Sequence, residues 1–335
     1  MRALALLTVA LVLVTGHVRS AIAGPALLFD ASSGQVLYAE DVDDSWYPAS
    51  LAKIMTAYVA FEAVKTGKLA LDQKIVASEA ANLQPPSKVG LPVGGEISVE
   101  IALQALIVKS ANDVAVMLAE AISGSEAAFV EKMNETAKRL GMTRSKFVTA
   151  NGLPAPDQAS TARDLALLTR AVIRDFPEFA RYWGMPEMRV GKIRLQTHNA
   201  LLKTFEGADG FKTGFTCDSG YNVVASATRD NRRLVVVVLG EPDGSSRAIR
   251  AASLLEHGFG MQGWKTLFNT TTIDNLEVAK EPRGLASMRT SVAAWSCNDH
   301  PHRARSAKKL NEIKAKVAAV KSKAKTEPPA VAAKQ

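Results

Sequence analysis

Three short strings occur in one order along the chain: Ser50-Leu51-Ala52-Lys53, Ser110-Ala111-Asn112 and Lys212-Thr213-Gly214. Together they supply a hydroxyl nucleophile, an amine base, a second hydroxyl that can carry a proton, and a cation that can seat a carboxylate. That set can perform serine acyl transfer, in which a hydroxyl attacks a carbonyl and a neighbouring base takes its proton. Singly the strings say little, because each recurs. Ser306 with Lys309, Ser322 with Lys325, Ser296-Cys297-Asn298 and Lys65-Thr66-Gly67 repeat them. The late copies lie in Lys- and Ala-rich sequence, and Gly67 stands where a glycine ends a helix, so these copies are read as incidental.

The flanks decide which copies matter. Ser50 precedes Ile54, Met55, Tyr58, Val59, Phe61 and Ala63, an apolar series at helical spacing, so Ser50 opens a helix and Lys53 lies one turn on. At i and i+3 the two side chains share a face. The start of a helix also presents free N–H groups to any anion that forms there. Ser110-Ala111-Asn112 interrupts the apolar runs Ile101–Val108 and Val114–Ala121, a polar knot inside a buried helical region. Its groups must satisfy one another or line a cleft, since a buried polar group without a partner costs about 1–3 kcal/mol. Lys212 follows Asp209-Gly210-Phe211 and precedes two β-branched runs, Tyr221–Ala227 and Leu234–Leu239, split by Arg229-Asp230-Asn231-Arg232. This hairpin pattern puts Lys212 at or beside a sheet edge, where backbone N–H groups can meet a substrate.

Taken together, order, spacing and flanks resemble the penicillin-recognising serine enzymes. The likeness is greatest to the D-alanyl-D-alanine carboxypeptidases among the low-molecular-mass penicillin-binding proteins. It extends over Tyr47–Thr56, Ser110–Ala115, Asn151-Gly152-Leu153, Ser160–Ala166 and Asp209–Thr216, and runs from about Ala26 to about Gly260. The resemblance implies that Ser50 attacks the bond between the last two residues of a peptidoglycan stem peptide, with Lys53 as base. It implies that Ser110 relays a proton to the leaving amine and that Asn112 holds a substrate amide. Lys212 and Thr213, in the string closed by Gly214, would engage the terminal carboxylate, and the N–H groups of Ser50 and Phe215 would form the oxyanion hole. His198 falls where some relatives carry a basic residue near that carboxylate. For Lys53 to accept a proton it must be desolvated or set beside another cation, and Lys212 is the candidate.

The resemblance also implies that β-lactams acylate Ser50. A β-lactamase, a DD-endopeptidase or transpeptidase, and an idle penicillin-binding sensor share the motifs and stand as alternatives. Class A β-lactamases add a glutamate that positions the deacylating water. Ser145–Asn151, the region where it would fall, has no acidic residue, so slow release of a penicillin adduct is expected over drug hydrolysis. An idle module need not retain Ser50, Lys53, Ser110, Asn112 and Lys212 together.

Met1-Arg2, the apolar stretch Ala3–Val14 and Ala21-Ile22-Ala23 read as a secretory signal over residues 1–23, with an uncleaved anchor as the alternative, which predicts an exported protein of the periplasm or the extracytoplasmic face of a bacterial cell envelope. Residues 24–262 form the expected catalytic domain, and 263–335 a short extension with a basic, Ala/Lys/Pro-rich, flexible tail. From His300 on, ten Lys and Arg face two Glu, which accounts for the formal net charge of +8. Nucleic acid is not expected as a partner after export; contact of the tail with a membrane surface or wall polymer is the alternative to a solvated tail. Trp264–Val278 could add a strand or two, but no complete second domain is expected. The two cysteines, Cys217 and Cys297, are free to pair in an oxidising compartment. No Cys/His spacing suits a metal and no Gly-rich phosphate loop occurs, so no cofactor is expected.

The expected fold class is α/β (α+β), the penicillin-recognising serine enzyme fold. A hairpin over Ala26–Asp30 and Gln35–Glu40 is followed by helices over Leu51–Lys65, Val99–Ile122, Glu126–Leu140 and Ala162–Arg174, strands from about Arg189 to Leu239, and a helix over Ser245–Phe259. Strands at both ends with helices between predict one antiparallel β-sheet, closed by the terminal segments and flanked by helices, with an inserted all-α lobe. The cleft then lies where lobe meets sheet.

Overall fold

The computed structural model describes residues 24–261, 270–292, 297 and 307–324. The signal segment therefore lies outside the described residues. The strands are β1 (Ala26–Asp30), β2 (Val36–Glu40), β3 (Lys74–Val76), β4 (Glu96–Ser98), β5 (Glu187–Val190), β6 (Ile193–Gln196), β7 (Ala208–Thr216), β8 (Gly220–Arg229) and β9 (Arg232–Glu241). The helices are α1 (Ala52–Lys65), α2 (Glu79–Asn82), α3 (Val99–Val108), α4 (Asn112–Ser123), α5 (Glu126–Arg139), α6 (Ala162–Asp175), α7 (Ala180–Trp183), α8 (Leu201–Thr204), α9 (Gly244–Gly260) and α10 (Ala307–Ala324).

One antiparallel sheet of five strands, in the order β2-β1-β9-β8-β7, forms the middle layer. Its β-branched runs are buried on both faces, and the two-residue period sorts them. Leu27, Phe29, Val235, Val237 and Leu239 face the helical lobe, while Ala26, Leu28, Leu234, Val236 and Val238 face α8, α9 and α10. The β8–β9 hairpin turns at Asp230 (φ 48°) and Asn231 (φ 60°), two residue types that tolerate the left-handed backbone such a turn demands. The lobe sits between β2 and β7 in sequence. Its central helix, α1, buries Ile54, Met55, Ala57, Tyr58, Val59, Ala60 and Phe61, so it is surrounded rather than amphipathic. Ser98, Ser125, Thr161 and Asp243 cap α3, α5, α6 and α9 through their side-chain oxygens.

The expected architecture is thus present, with one break. The region read as helical over Val99–Ile122 is two helices, because Ser110 takes φ 61° and ends the first before Asn112 starts the second. A left-handed serine cannot sit inside an α-helix.

The extension differs more. Residues 264–269 of the expected strand lie outside the described residues, and 270–278 contribute a single bridge, Gln35 with Thr272. From Leu276 onward the chain runs as a strap across the catalytic domain. Arg163 pairs with Asp43 at 2.6 Å and also holds the carbonyls of Leu276 and Glu277; Arg283 pairs with Asp44; and Met288 N–H donates to Asp218 O at 2.9 Å. Cys217 and Cys297 form a disulfide with their Cα atoms 5.6 Å apart, which ties the strap to the turn after β7.

Within the tail expected to be flexible, residues 307–324 are helical, as the Ala/Lys-rich sequence over Lys308–Lys325 allows. They form α10, which packs on α9, with Ile313 and Val317 in the core on that face of the sheet. The apolar stripe is narrow, but it meets an apolar surface, and that burial orders the helix. Among the described residues no helix is long and apolar enough to cross a membrane. Ile313→Ala with Val317→Ala removes about 3 kcal/mol or more of docking. Trypsin should then cut at Lys314 and Lys316 at least about tenfold faster, read by mass spectrometry of timed digests.

Candidate active site

Ser50 lies in a single 3-10 turn, Ala49–Leu51, that runs straight into α1. The residue before it, Ala49, has φ 49°, a conformation that costs an ordinary residue roughly 1–3 kcal/mol and is held only by its surroundings. The neighbour that allows it is Gly152 (φ 78°): a Cβ there would stand 1.9 Å from the Ala49 carbonyl oxygen. Strand β7 closes on the same turn from the other side. A Cβ on Gly214 would lie 3.1 Å from Ser50 N, so the glycine of the third string is what lets the strand reach the nucleophile. Asn222 of β8 fastens the segment to the sheet, donating to the carbonyls of Tyr47 at 2.9 Å and Pro48 at 3.3 Å while its own oxygen accepts from Gly240 N–H.

Lys53 is completely buried, with Nζ 3.1 Å from Ser50 Oγ, 2.7 Å from Asn112 Oδ1 and 2.5 Å from the Asn151 carbonyl. The last two atoms only accept. A neutral amine has two N–H groups and one lone pair, so donating to both leaves the lone pair for the Ser50 hydroxyl. Burial pushes the Lys53 amine well below its ordinary value, the charge of Lys212 pushes the same way, and Asp113 opposes them. The geometry and the electrostatics both prepare a base.

Ser110, the left-handed residue, has a buried Oγ with no hydrogen-bond partner among the described residues. That hydroxyl is available to a reacting group. The rest of the knot is satisfied by the loop after α2. Asn112 donates to Pro85 O at 2.9 Å and, through its backbone, to Ser87 O at 2.7 Å. The Asp113 carboxylate accepts from Val89 N–H and Gly90 N–H, and Gln84 Oε1 accepts from Asn151 Nδ2 at 2.8 Å. Both readings of the knot therefore hold, Asn112 being partnered and Ser110 left open.

On β7, Lys212 is buried and donates to Thr213 O at 2.9 Å. Burial and the nearby Arg247 guanidinium lower its amine to about 7. Arg247, on α9, is itself buried, lies over the Tyr221 ring, and donates to the carbonyls of Asn222 and His198. Two buried cations side by side make a seat for an anion. Thr213 is buried next to Lys212, and Phe215, one residue past Gly214, packs against Tyr221 with ring centroids 4.2 Å apart and planes tilted by 32°. His198 has an exposed side chain and reaches Arg247 through its carbonyl.

The decisive observation is a match of residues 14–243 to the D-alanyl-D-alanine carboxypeptidase family. The chain belongs to that family. This D-alanyl-D-alanine carboxypeptidase family member is 38% identical to the carboxypeptidase DacA of Haemophilus influenzae over 82% of this chain and 70% of that protein. Its fold is similar to the crystal structure of penicillin binding protein 5 from Haemophilus influenzae, with TM-score 0.69 and 39% identity over 71% of this chain and 70% of that one. It is also similar to penicillin-binding protein D2 of Listeria monocytogenes in its cefotaxime-bound form, with TM-score 0.65 and 34% identity over 71% of this chain and 97% of that one.

The three strings thus meet in space, while Arg247, Asn222 and Gln84 join them without having been singled out from sequence. Arg247 had a signal: it falls on the buried stripe of α9 with Ala248, Ala251 and Leu255, where a charged residue needs a reason. A basic Lys53 working with a cationic Lys212 predicts a bell-shaped kcat/KM for peptide. The acid limb reports protonation of Lys53, and the alkaline limb reports loss of the Lys212 proton near pH 7 in the free enzyme. Lys212→Arg should move the alkaline limb upward, because a guanidinium keeps its charge; initial rates of D-alanine release across pH test this.

Proposed function

We propose that this family member removes the C-terminal D-alanine from peptidoglycan stem peptides through an acyl-enzyme on Ser50. Ser50 Oγ bonds to the carbonyl carbon between the last two residues as its proton passes to Lys53 Nζ. The oxyanion is met by the N–H groups of Ser50 and Phe215; one such donor is worth about 3 kcal/mol. Ser110 relays the proton held on Lys53 Nζ to the leaving nitrogen as the C–N bond breaks, so Lys53 is neutral again and free D-alanine departs. Water then attacks the ester as Lys53 takes its proton, and that proton passes to Ser50 Oγ as the ester C–O bond breaks. Lys212, Thr213 and Arg247 hold the terminal carboxylate, which explains a requirement for a free C-terminus. Asn112 holds the substrate amide.

The observation that carries this reading is the amine of Lys53, buried and 3.1 Å from the Ser50 hydroxyl with two acceptors on its N–H groups. Penicillins enter as mimics of the same peptide end. Three carboxylates touch the Ser145–Asn151 segment among the described residues, and each is engaged: Glu126 accepts from Ala150 N–H at 2.9 Å, Asp164 accepts from Ser145 Oγ at 2.7 Å, and Asp157 pairs with Lys146 at 3.1 Å. This supports a persistent penicilloyl ester over β-lactamase turnover. The substrate lies outside the cytoplasm, and the 1–23 segment supplies the export signal that this requires.

Ser50→Ala should abolish both D-alanine release from a pentapeptide and labelling by fluorescent penicillin, with thermal unfolding within a few degrees of the parent. Retention of either activity would move the nucleophile elsewhere. Arg247→Gln should lower kcat/KM for the peptide by roughly 10- to 100-fold, the loss of one charge-assisted contact to the carboxylate, read in the same assay.

A further inference from the structure

The strap ends beside the active site, not away from it. Strand β7 is the outer strand of the sheet, and Cys217 and Asp218 form the turn that comes after its last residue, Thr216. Three strap residues converge on Asp218. Ser287 Oγ donates to its carboxylate at 2.6 Å, Arg289 Nη2 donates at 2.9 Å, and Met288 N–H takes its carbonyl. The Cys217–Cys297 disulfide locks the same turn from one residue away. Residues 287–297 lie beyond the match to the family model, which ends at 243.

The direction of the substrate is set by the proposed roles of the β7 residues, on which this inference rests. With the carboxylate at Lys212 and Thr213 and the scissile carbonyl at Phe215 N–H, the peptide runs antiparallel to β7. Its upstream residues therefore lie over Thr216, Cys217 and Asp218. At about 3.3 Å per residue, the third residue of the stem, which precedes the two D-alanines, is the one whose side chain reaches this turn.

The turn offers that side chain both signs of charge. Arg289 is 60% exposed and Asp218 26% exposed, and the pair is bonded side by side. Arg289 and Ser287 hold the Asp218 carboxyl below its usual range, so it stays ionised. Arg289 uses Nε and Nη2 on Asp218, and a guanidinium has five N–H donors. We infer that Asp218 and Arg289 form a subsite for the third stem residue, selecting a side chain that ends in both an ammonium and a carboxylate. The ammonium meets Asp218 and the carboxylate meets Arg289; a lysine side chain satisfies only the first.

The test uses the full chain and two synthetic pentapeptides that differ only at the third residue, one meso-diaminopimelyl and one lysyl. The parent should show kcat/KM about tenfold or more higher for the diaminopimelyl peptide, the worth of one charge-assisted contact of about 1.4 kcal/mol. Arg289→Gln should collapse that ratio toward one, with the loss falling on the diaminopimelyl peptide. Cys297→Ser, which frees the strap, should lower the ratio in the same direction. Equal kcat/KM for the two peptides in the parent, or an equal fall on both in Arg289→Gln, overturns the subsite. Absence of D-alanine release from either peptide by the parent overturns the proposed activity, and the subsite with it.

Discussion

The molecule depends on burying one lysine whose amine is thereby pushed well below its ordinary value. An ammonium stripped of water costs many kcal/mol, so burial favours the neutral form of Lys53, and the fold then has to prevent that amine from acting anywhere but at Ser50. It does so from three directions. Lys53 comes from α1, the acceptor on Asn112 from α4, and the acceptor on Asn151 from the loop that precedes α6. The charge of Lys212 on β7 adds to the effect of burial. No single element could supply this environment, which is why the site sits at the seam between lobe and sheet.

The seam is held open at one cost and closed at another. Ala49 and Ser110 both stand in the left-handed region without being glycine, one beside the nucleophile and one presenting the second hydroxyl. Each is opposed by tight fastening nearby: Asn222 and Gly152 around Ala49, the Pro85–Gly90 loop around Asn112 and Asp113. Strain of this kind survives only where surrounding bonds over-determine the backbone. The glycines of the Asn151-Gly152-Leu153 and Lys212-Thr213-Gly214 strings are there for space: each marks a point where a second backbone comes within contact of the nucleophile turn.

Much of this was readable from residue order, for identifiable reasons. The Ser50–Lys53 pair is local, so helical spacing alone places both on one face, and the strands announce themselves through β-branched runs whose period fits a sheet covered on both sides. Ser110 was legible as polar atoms in an apolar run, but its left-handed backbone was not, because the loop that accepts Asn112 is set far upstream. Arg247 and Asn222 act through tertiary contacts with no local pattern. The strap escaped because its backbone is irregular and its bonds go to side chains such as Asp43, Asp44 and Asp218. Helix α10 looked like solvated low-complexity sequence, since a stripe of Ile and Val says nothing about whether a receiving surface exists.

The sheet order carries a consequence for assembly. Strand β1, the first element of the described domain, lies inside the sheet between β2 and β9, with Leu27 opposite Val237. Closing so long a loop is entropically expensive and can happen only once almost the whole domain has been made. Ser50 rides on the lobe and Lys212 on the sheet, so a partly built chain holds the two halves of its chemistry apart. The hydroxyl has Lys53 beside it within the lobe, and the second cation, Lys212, joins the pair at the step that completes the sheet.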